Sequence, residues 1–357
     1  MGKKQKILHV VEAMGGGVFT YIVELANGMS DQFDITIAFG LRNETPKNYA
    51  EYFNDNVKLI HVQSFCRSLN PIKDLKAYFE LKKIIRDENP DVMHFHSSKA
   101  GAIGRLFFCR KNRKNFYTPH GYSFLMEGIS PVKRKIYEVI EKICGNRNCI
   151  TVACGKGEWE ESLKVSKKST YISNGINIEK LDKILETPAL RSNEHPFTVY
   201  TVGRINYQKN PEIFNEIAKL VPDVRFAWIG EGDMRDCLTS ENIVVTGWMK
   251  ANYALELAKN GDMFLLPSRW EGLPISLLEA MYMKKLCLVS DVVGNRDIIR
   301  DGVTGYICNT AEEFAEAIKK YKDKDNSRII ENAHNEILNH YNSSWLCDRY
   351  RELYSEE

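Results

Sequence analysis

Two glutamates flank a mostly apolar run in the segment SRWEGLPISLLEAM, residues 268–281. Gly272 and Pro274 interrupt a continuous helix, and proline suits the first helical position, so we expect a helix to begin at Pro274. Glu271 would then lie in the loop ahead of that helix, and Glu279 about a turn and a half inside it. The two carboxylates need not touch each other, because each can serve a different part of one ligand.

The chemistry that suits this spacing is the binding of a nucleoside diphosphate sugar. The amides of Leu273, Ile275 and Ser276 lie at the positive end of the predicted helix, where they favour a phosphate. A carboxylate accepts hydrogen bonds from neighbouring hydroxyls, which suits Glu271 to a sugar and Glu279 to a ribose. Either glutamate alone could be a helix-start acid or a solvated side chain. The presence of both glutamates beside apolar neighbours favours a binding site.

A second candidate is the loop VGRINYQKN, residues 202–210, which follows a predicted strand. Arg204 and Lys209 can converge on one polyanion, since a guanidinium fork and an ammonium charge neutralise phosphate oxygens together. Two solvated surface cations are the alternative, but a position at the carboxyl end of a strand favours function. If the fork matters, Arg204 should contribute more than Lys209.

A glycine-rich loop follows the first predicted strand, in the segment EAMGGGVFT, residues 12–20. Gly16 and Gly17 let backbone amides approach a ligand, and the following helix start favours a diphosphate. The segment departs from a dinucleotide fingerprint, because Thr20 takes the third glycine position and the next strand, ending IAFG, supplies no acid for a ribose. A dehydrogenase is therefore disfavoured, and a turn that only allows close helix packing remains the alternative.

Strands and helices alternate along the chain and must position these loops. The rhythm begins with KILHVVEA, FDITIAFG and DVMHFH and restarts with FTVYTVG, VRFAWIG, NIVVTGW, DMFLLPS, LCLVSD and GYICN. Strands this uniformly apolar are typical of parallel sheets covered by helices on both faces. We expect an α/β protein of two doubly wound Rossmann-like domains facing a cleft, over residues 1–185 and 186–340. Residues 341–357 would form a helix packing back on the first domain, and LETPALRSNEHP would be the linker.

Length and charge limit the function classes. A chain of 357 residues should divide into two domains. Its net charge of +2 is uneven: residues 1–185 hold 29 Lys+Arg and 20 Asp+Glu, or +9, and the remainder holds 20 and 27, or −7. The basic half could hold anionic lipid, nucleic acid or a phosphorylated substrate. Nine cysteines without a paired framework, no apolar leader and no bilayer-length apolar run predict a cytoplasmic protein with at most peripheral membrane contact.

Five motifs resemble those of the retaining glycosyltransferases of family 4, which have the two-domain GT-B architecture, and the order of the motifs along the chain agrees as well. EGLPISLLE resembles their E-x(7)-E signature and VGRINYQKN their phosphate-binding loop; MGGG resembles the glycine loop, IGEG the loop near the base, and SNGIN the end of the first domain. The resemblance runs over nearly the whole chain. Leu273 stands where phenylalanine is common, a departure that leaves the role of the acids intact.

The resemblance also implies roles for single residues. Glu271 would contact the donor sugar, as would His120 in the segment TPHG, although a lone histidine is more often a core residue. Glu279 would hold the ribose, and Arg204 with Lys209 the diphosphate. The remaining residues expected to bind the donor nucleotide are Glu231, Trp248, Met249, Leu273, Ile275, Gly16 and Gly17.

His94 and His96 alternate on a predicted strand and so share one face, which could suggest a metal. No cysteine or carboxylate nearby in the sequence completes a ligand set, so we expect no metal there. Hydrogen bonding on the acceptor side is the preferred interpretation, with Lys99 and Arg105 meeting acceptor phosphates.

The reaction that the resemblance implies is sugar transfer from a nucleoside diphosphate sugar, with UDP favoured, to a hydroxyl with retention at the anomeric carbon. The donor is a co-substrate, and no other cofactor is expected. The sequence Asp323-Lys-Asp325 is its only D-x-D and reads as solvated surface. That fits an enzyme which stabilises its leaving diphosphate with Arg204, Lys209 and helix amides instead of a divalent cation.

The first domain binds the acceptor in this architecture, and resemblance to enzymes of capsule and exopolysaccharide assembly implies a lipid-linked diphosphate sugar. The apolar segment from Tyr122 to Met126, together with Ile129, lies next to Lys133-Arg134-Lys135, a combination suited to an anionic membrane surface on the cytoplasmic side. Core packing of the apolar residues is the alternative. Nucleic acid is not an expected partner. A GT-B sugar-nucleotide epimerase and a non-catalytic nucleotide-binding protein are the competing functions.

Overall fold

The computed structural model describes residues 4–12, 14–42, 45–66, 70–188 and 196–356. The chain forms two compact units, one of residues 1–174 with 343–357 and the other of residues 175–342. The first boundary between the two units, after residue 174, therefore lies earlier in the chain than the expected boundary at residue 185. Most of the segment predicted as a linker lies outside the described residues.

Each unit is built on one parallel sheet, and every described strand pairing is parallel. The first sheet has the order β3-β2-β1-β4-β5-β6-β7 and the second β10-β9-β8-β11-β12-β13. The first set of strands is β1 Lys6–Val11, β2 Asp34–Phe39, β3 Lys58–His61, β4 Val92–His96, β5 Lys114–Thr118, β6 Ile150–Ala153 and β7 Ser169–Tyr171. The second is β8 Thr198–Val202, β9 Arg225–Ile229, β10 Ile243–Val245, β11 Met263–Leu266, β12 Leu286–Ser290 and β13 Tyr306–Cys308.

Helices connect the strands and cover the sheets. Those of the first unit are α1 Gly16–Met29, α2 Pro71–Glu88, α3 Ser98–Phe107, α4 Pro131–Gly145, α5 Lys156–Leu163 and, from the end of the chain, α13 Ser343–Ser355. Those of the second are α6 Ile178–Glu186, α7 Pro211–Leu220, α8 Ala251–Asn260, α9 Ile275–Tyr282, α10 Val293–Arg296, α11 Ala311–Tyr321 and α12 Ser327–His340. The expected doubly wound Rossmann-like fold is confirmed in both units.

The strand order also determines which helices share a face of the first sheet. The chain moves from β1 to β2 and β3 in one direction, then returns and continues through β4, β5 and β6 in the other. Because parallel crossovers are right-handed, α1 lies on one face and α2, α3 and α4 on the opposite face. Helix α13 packs against α1.

The central strands are apolar because both faces of each sheet are covered. Leu8, Val10, Met93 and Phe95 on β1 and β4 are fully buried. In the second unit the buried cluster includes Phe226 and Trp228 of β9 with Phe214 of α7. Among the described residues, no helix has both the length and the apolar character that crossing a bilayer would require.

Candidate active site

The residues predicted to bind the donor lie on loops at one edge of the second sheet. Arg204 and Lys209 follow β8, Glu231 follows β9, Trp248 follows β10, and Glu271 follows β11. These four strands are consecutive neighbours in the sheet, in the order β10-β9-β8-β11. Ligands of open parallel sheets bind beyond the carboxyl ends of the strands, so the topology brings these predicted residues to a suitable edge.

Glu271 is held by the loop that follows β8. Its Oε1 lies 2.8 Å from the Lys209 ammonium, and the two side chains are only 7% and 16% exposed. Gln208 Nε2 donates to Glu271 Oε2 at 3.3 Å and to the Trp270 carbonyl at 3.0 Å. The carboxylate is therefore oriented by donors on both oxygens, and it keeps lone pairs that can accept from the hydroxyls of a sugar.

Arg204 occupies a more open position. Its guanidinium donates to Asp233 Oδ2 at 2.8 Å, with the two side chains 30% and 80% exposed. An ion pair this open to water contributes little to stability, so Arg204 can exchange Asp233 for a phosphate at small cost. Lys209 and Arg204 thus differ, because Lys209 binds the nearly buried Glu271 and Arg204 pairs with Asp233 at the surface.

Close backbone contacts fix these loops against one another. Gly203 and Gly230 both have a φ of +148°, and a Cβ on Gly230 would lie 2.1 Å from the Gly203 carbonyl oxygen. A Cβ on Gly294 in α10 would lie equally close, 2.1 Å, to the Gly272 carbonyl oxygen. Only glycine allows these approaches, which join the Arg204 loop to the Glu231 loop and the Glu271 loop to α10.

The loops after β9 and β10 carry the residues expected near the base. Glu231 Oε2 accepts from Arg235 at 2.6 Å, and its Oε1 accepts from the Gly232 amide at 3.2 Å. Trp248 is exposed and Met249 half-buried. An exposed indole offers an aromatic face to a planar base.

Helix α9 begins one residue later than predicted. Pro274 has φ −76° and ψ 114°, so it is the N-cap, and Ile275 is the first helical residue. Proline has no side-chain cap to offer, and the first-turn amides of Ile275 and Ser276 precede the intrahelical hydrogen bonds. Glu279 lies on the next turn, partly exposed. The start of α9 retains the features expected of a phosphate-binding helix.

The glycine loop of the first unit leads into α1, whose N-cap is Gly15. Gly16 and Gly17 are exposed, and a Cβ on Gly16 would meet nothing within 4 Å. Sequence reasoning missed the anchor of this loop, Glu12, which is buried and accepts from Arg42 Nη2 with both oxygens at 2.7 and 2.8 Å. Burial raises the pKa of Glu12 despite the neighbouring guanidinium.

His120 lies in a tight turn after β5. Its φ is 54° and that of Gly121 is 93°, both in the left-handed region. The buried carboxylate of Glu158 fixes the turn, since it accepts from the Gly121 amide at 2.6 Å and from the Cys154 amide at 2.7 Å. Glu158 has no motif signal in the sequence, and only the structure shows it behind His120.

Three histidines form a hydrogen-bonded chain that ends at His120. His9 Nδ1 lies 3.0 Å from His96 Nε2, and His96 Nδ1 lies 3.0 Å from His120 Nε2. His120 Nδ1 lies 3.4 Å from the Cys154 sulfur. Burial lowers the pKa of His9 and of His120 to about 3, and that of His96 well below its usual value. Each neutral ring has one donor and one acceptor, so the hydrogen bonds of the chain run in one direction.

Two family models together match most of the chain. One described as Glycosyltransferase Family 4 matches residues 15–180, and one described as Glycosyl transferases group 1 matches residues 182–336. The chain belongs to glycosyltransferase family 4. Its resemblance to this family, predicted from the motifs, is confirmed.

Two bacterial relatives match over almost their full length. The chain is 29% identical to the UDP-Gal:alpha-D-GlcNAc-diphosphoundecaprenol alpha-1,3-galactosyltransferase of Escherichia coli, over 98% of this chain and 97% of the relative. It is 24% identical to the N,N'-diacetylbacillosaminyl-diphospho-undecaprenol alpha-1,3-N-acetylgalactosaminyltransferase of Campylobacter jejuni, over 95% and 96%.

Solved structures show that the family 4 chain has the GT-B fold. It superposes with a TM-score of 0.82 on sucrose-phosphate synthase from Thermosynechococcus elongatus, at 16% identity and covering 98% of each chain. The TM-score is 0.77 with Anabaena HepE in complex with UDP and glucose, at 15% identity and covering 98% of this chain and 99% of that one.

The four residues predicted on the acceptor side of this family 4 enzyme need correction. Arg105 is 2% exposed, and its guanidinium lies on the Tyr117 ring and donates to Glu141 at 2.8 Å. Lys99 donates to Asp74 at 2.8 Å. Neither arrangement presents a cation to an acceptor phosphate, and Arg105 belongs to the core.

His94 and His96 are also fully buried, which excludes direct contact with an acceptor in this conformation. Both nitrogens of His94 are engaged, one with Tyr354 at 2.5 Å and the other with Thr118 at 2.8 Å. A potential metal-ligand set does exist, because His9 brings a third nitrogen within 4.8 Å of those of His94 and His96. The sequence missed it, since His9 lies on another strand.

Both aromatic residues of the apolar segment predicted to face a membrane belong to the core. Tyr122 is 1% exposed and Phe124 8%, which supports the alternative of core packing. Lys133, Arg134 and Lys135 are exposed on α4, as expected.

Proposed function

We propose that this glycosyltransferase moves a hexose-type sugar from a UDP-sugar to a hydroxyl of a saccharide carried on a polyprenyl diphosphate, with retention at the anomeric carbon. Its full-length likeness to the two bacterial transferases, whose names specify diphosphoundecaprenol acceptors, supports the acceptor class. The observation that carries the donor assignment is the Lys209–Glu271 pair at the carboxyl edge of the second sheet.

In the proposed reaction each residue has a separate task. Lys209, Arg204 and the first-turn amides of α9 would neutralise the diphosphate, and Glu279 would hold the ribose. Glu271 would accept from the sugar hydroxyls, and His120 would contact the same sugar. The bond from the anomeric carbon to the phosphate oxygen breaks and a bond to the acceptor oxygen forms on the same face. The acceptor proton passes to the departing phosphate, so the protein supplies positioning and charge stabilisation.

We also propose that the reaction needs no divalent cation and takes place at the cytoplasmic face of an anionic membrane. Two cations near the diphosphate would supply the charge that a metal supplies in other transferases. A lipid-linked acceptor lies in a membrane, so its enzyme must work at that surface.

A direct test incubates the protein with each of several UDP-sugars and a short-chain prenyl diphosphate carrying one N-acetylhexosamine. The proposal expects the mass of the acceptor to increase by one sugar residue, with the α configuration in the NMR coupling if an α-linked donor is used. Glu271→Gln should abolish most of this product. Glu316→Gln, an exposed glutamate on α11, is the matched control.

Two results would contradict the proposal. An unchanged acceptor together with a new epimer of the nucleotide sugar would show an epimerase. Nucleotide binding without turnover of any donor would favour the non-catalytic alternative. Inversion of the anomeric configuration would refute retention alone.

A further inference from the structure

Helix α4 exposes a stripe of apolar residues to water and buries a glutamate against the core. Of its fifteen residues, only Glu141, Cys144 and Gly145 are buried. Five apolar residues are 36–70% exposed: Val132, Ile136, Val139, Ile140 and Ile143. Their spacing of i, i+4, i+7, i+8 and i+11 places them on one stripe of the helix. A stripe of this width normally packs against a core, so its outward orientation calls for a partner.

Buried polar contacts fix this orientation. Glu141 Oε2 accepts from Arg105 at 2.8 Å, and its Oε1 accepts from the Tyr117 hydroxyl at 3.1 Å. The Arg105 guanidinium lies 3.7 Å from the centre of the Tyr117 ring. Turning the apolar stripe inward would break this ion pair and expose its members, so the stripe remains on the outside.

Neighbouring helices extend the apolar surface. Helix α2 exposes Ile72, Leu75 and Phe79, spaced i, i+3 and i+7, and α3 exposes Phe107 near its end. The Tyr78 ring contacts the rings of both Phe79 and Phe107 at centroid distances of 5.1 Å. Since α2, α3 and α4 cover the same face of the first sheet, these side chains belong to one outer layer.

Cations surround the α4 stripe. Lys133, Arg134, Lys135 and Lys142 are exposed. The helix has two acids, the buried Glu141 and Glu138, and Glu138 forms ion pairs with Lys135 at 3.1 Å and with Lys142 at 2.5 Å. Arg134 lies seven residues before Glu141 and so on the face opposite the stripe. The other three cations less Glu138 leave a charge of +2 beside the stripe. The stripe is thus apolar in the centre and positive at its margins.

We propose that the outward face of α4, extended by α2, docks the protein on an anionic bilayer. Headgroups of anionic lipid complement the marginal cations, and the boundary of the acyl chains accepts the apolar stripe to a shallow depth. A second copy of the chain is a poorer partner, because a two-fold contact through this face would oppose like charges. This surface would bring the enzyme to its lipid-linked acceptor, a use that rests on the proposed function.

The test measures binding to vesicles containing roughly 30% phosphatidylglycerol, a content at which cationic interfacial helices bind well. Val132→Gln, Ile136→Gln and Ile143→Gln combined should weaken binding roughly 100-fold, from the lost transfer of three partly exposed apolar side chains. The matched control replaces Leu220, Val244 and Val303 by glutamine in the second unit, where they are 40–43% exposed. Control binding should equal that of the wild type. Rising salt should release the wild type.

A second variant guards against an effect of the triple replacement on folding. Ile136→Trp keeps the stripe apolar and adds an indole, which brominated lipid should quench when the protein binds vesicles. Binding without quenching at this indole would overturn the proposal, as would equal vesicle binding by wild type and the triple variant. A dimer in light scattering that only the triple variant loses, with no vesicle binding, would assign the face to a second copy and also overturn it.

Transfer to a water-soluble acceptor keeps the two proposals separate. The triple variant should retain this activity while losing transfer to a long-chain lipid acceptor in vesicles. A wild-type protein that binds vesicles through α4 yet transfers no sugar to either acceptor would refute the proposed function and leave the docking surface standing.

Discussion

The histidine cluster of the first unit, with His120 half-buried and the other three fully buried, should make the stability of this unit fall steeply below neutral pH. His9, His94, His96 and His120 have pKa values lowered by burial, to about 3 for His9 and His120. In the unfolded chain each would titrate near pH 6.5. As the pH falls through that value the unfolded state binds protons first, so unfolding becomes more favourable between about pH 6.5 and 3.

The size of the effect follows from the difference in proton binding. A histidine with an unfolded pKa near 6.5 and a folded pKa near 3 loses about 2 kcal/mol of stability at pH 5.0 relative to pH 7.5. The two groups with a pKa near 3, His9 and His120, together give about 4 kcal/mol, a large part of the total stability of a domain. The lowered pKa values of His94 and His96 act in the same direction. Glu12 acts in the opposite sense, because its raised pKa favours proton uptake by the folded state and offsets part of the loss.

Hydrogen exchange of the whole chain, read by mass spectrometry and corrected for intrinsic rates, can assign this loss to one unit. Opening free energies of β1 and β4 should fall between pH 7.5 and 5.0 by several kcal/mol, of the order calculated from the histidines. Strands β8 and β11, in the unit without these histidines, should change less. Unchanged protection of β1 and β4 at pH 5.0 would refute the reasoning.

Replacing one histidine tests the same calculation. Within the described part of the chain, His9 Nε2 has no hydrogen-bond partner, so His9→Gln is the mildest change to the cluster. It should reduce the pH-dependent loss by about 2 kcal/mol. His61→Gln, an exposed imidazole on β3, is the control and should leave the pH dependence as in the wild type.

Three further predictions concern the reaction. Glu271→Gln and His120→Ala should each lower turnover of a UDP-sugar by roughly 100-fold or more in a protein that remains folded, because each removes an oriented partner of the reacting sugar; near-normal turnover would exclude that residue from the site. Lys209→Met should cost more in kcat/KM than Arg204→Met, since it also leaves the nearly buried Glu271 without its cation, and the reverse order would show that the guanidinium fork dominates. Activity should persist in excess EDTA, and a loss restored by magnesium or manganese would show that the diphosphate site needs a metal.

Local pattern was enough to predict both sheets and the order of the donor loops. Uniformly apolar strands such as β4 and β11 are typical of a parallel sheet covered on both faces. Once the strands were predicted, the loops at their carboxyl ends could be predicted as well. The helix start at Pro274 was displaced by one residue because the ψ of 114° takes proline out of the helix.

Contacts between distant strands were beyond that pattern. His94 and His96 were correctly placed on one face of β4, but their partner His9 becomes visible only from the strand order, which pairs β1 with β4 and His9 with His94. Arg105 was predicted to meet an acceptor phosphate because its actual partner, Glu141, is 36 residues away in the sequence. The amphipathic pattern of α4 does not show which side of the helix is buried, since that depends on the same ion pair.

The place of α13 affects how the protein is made on the ribosome. The Tyr350 hydroxyl of this helix accepts from the Tyr21 hydroxyl at 2.6 Å, and Tyr354 contacts His94. Residues 175–342 form a contiguous unit, so they can fold as soon as they emerge, whereas the first unit must wait for α13. At roughly 5–20 residues per second, that wait lasts on the order of ten to forty seconds. During it the nascent first unit lacks the helix that covers α1, which makes it a client for chaperones that bind exposed apolar surface.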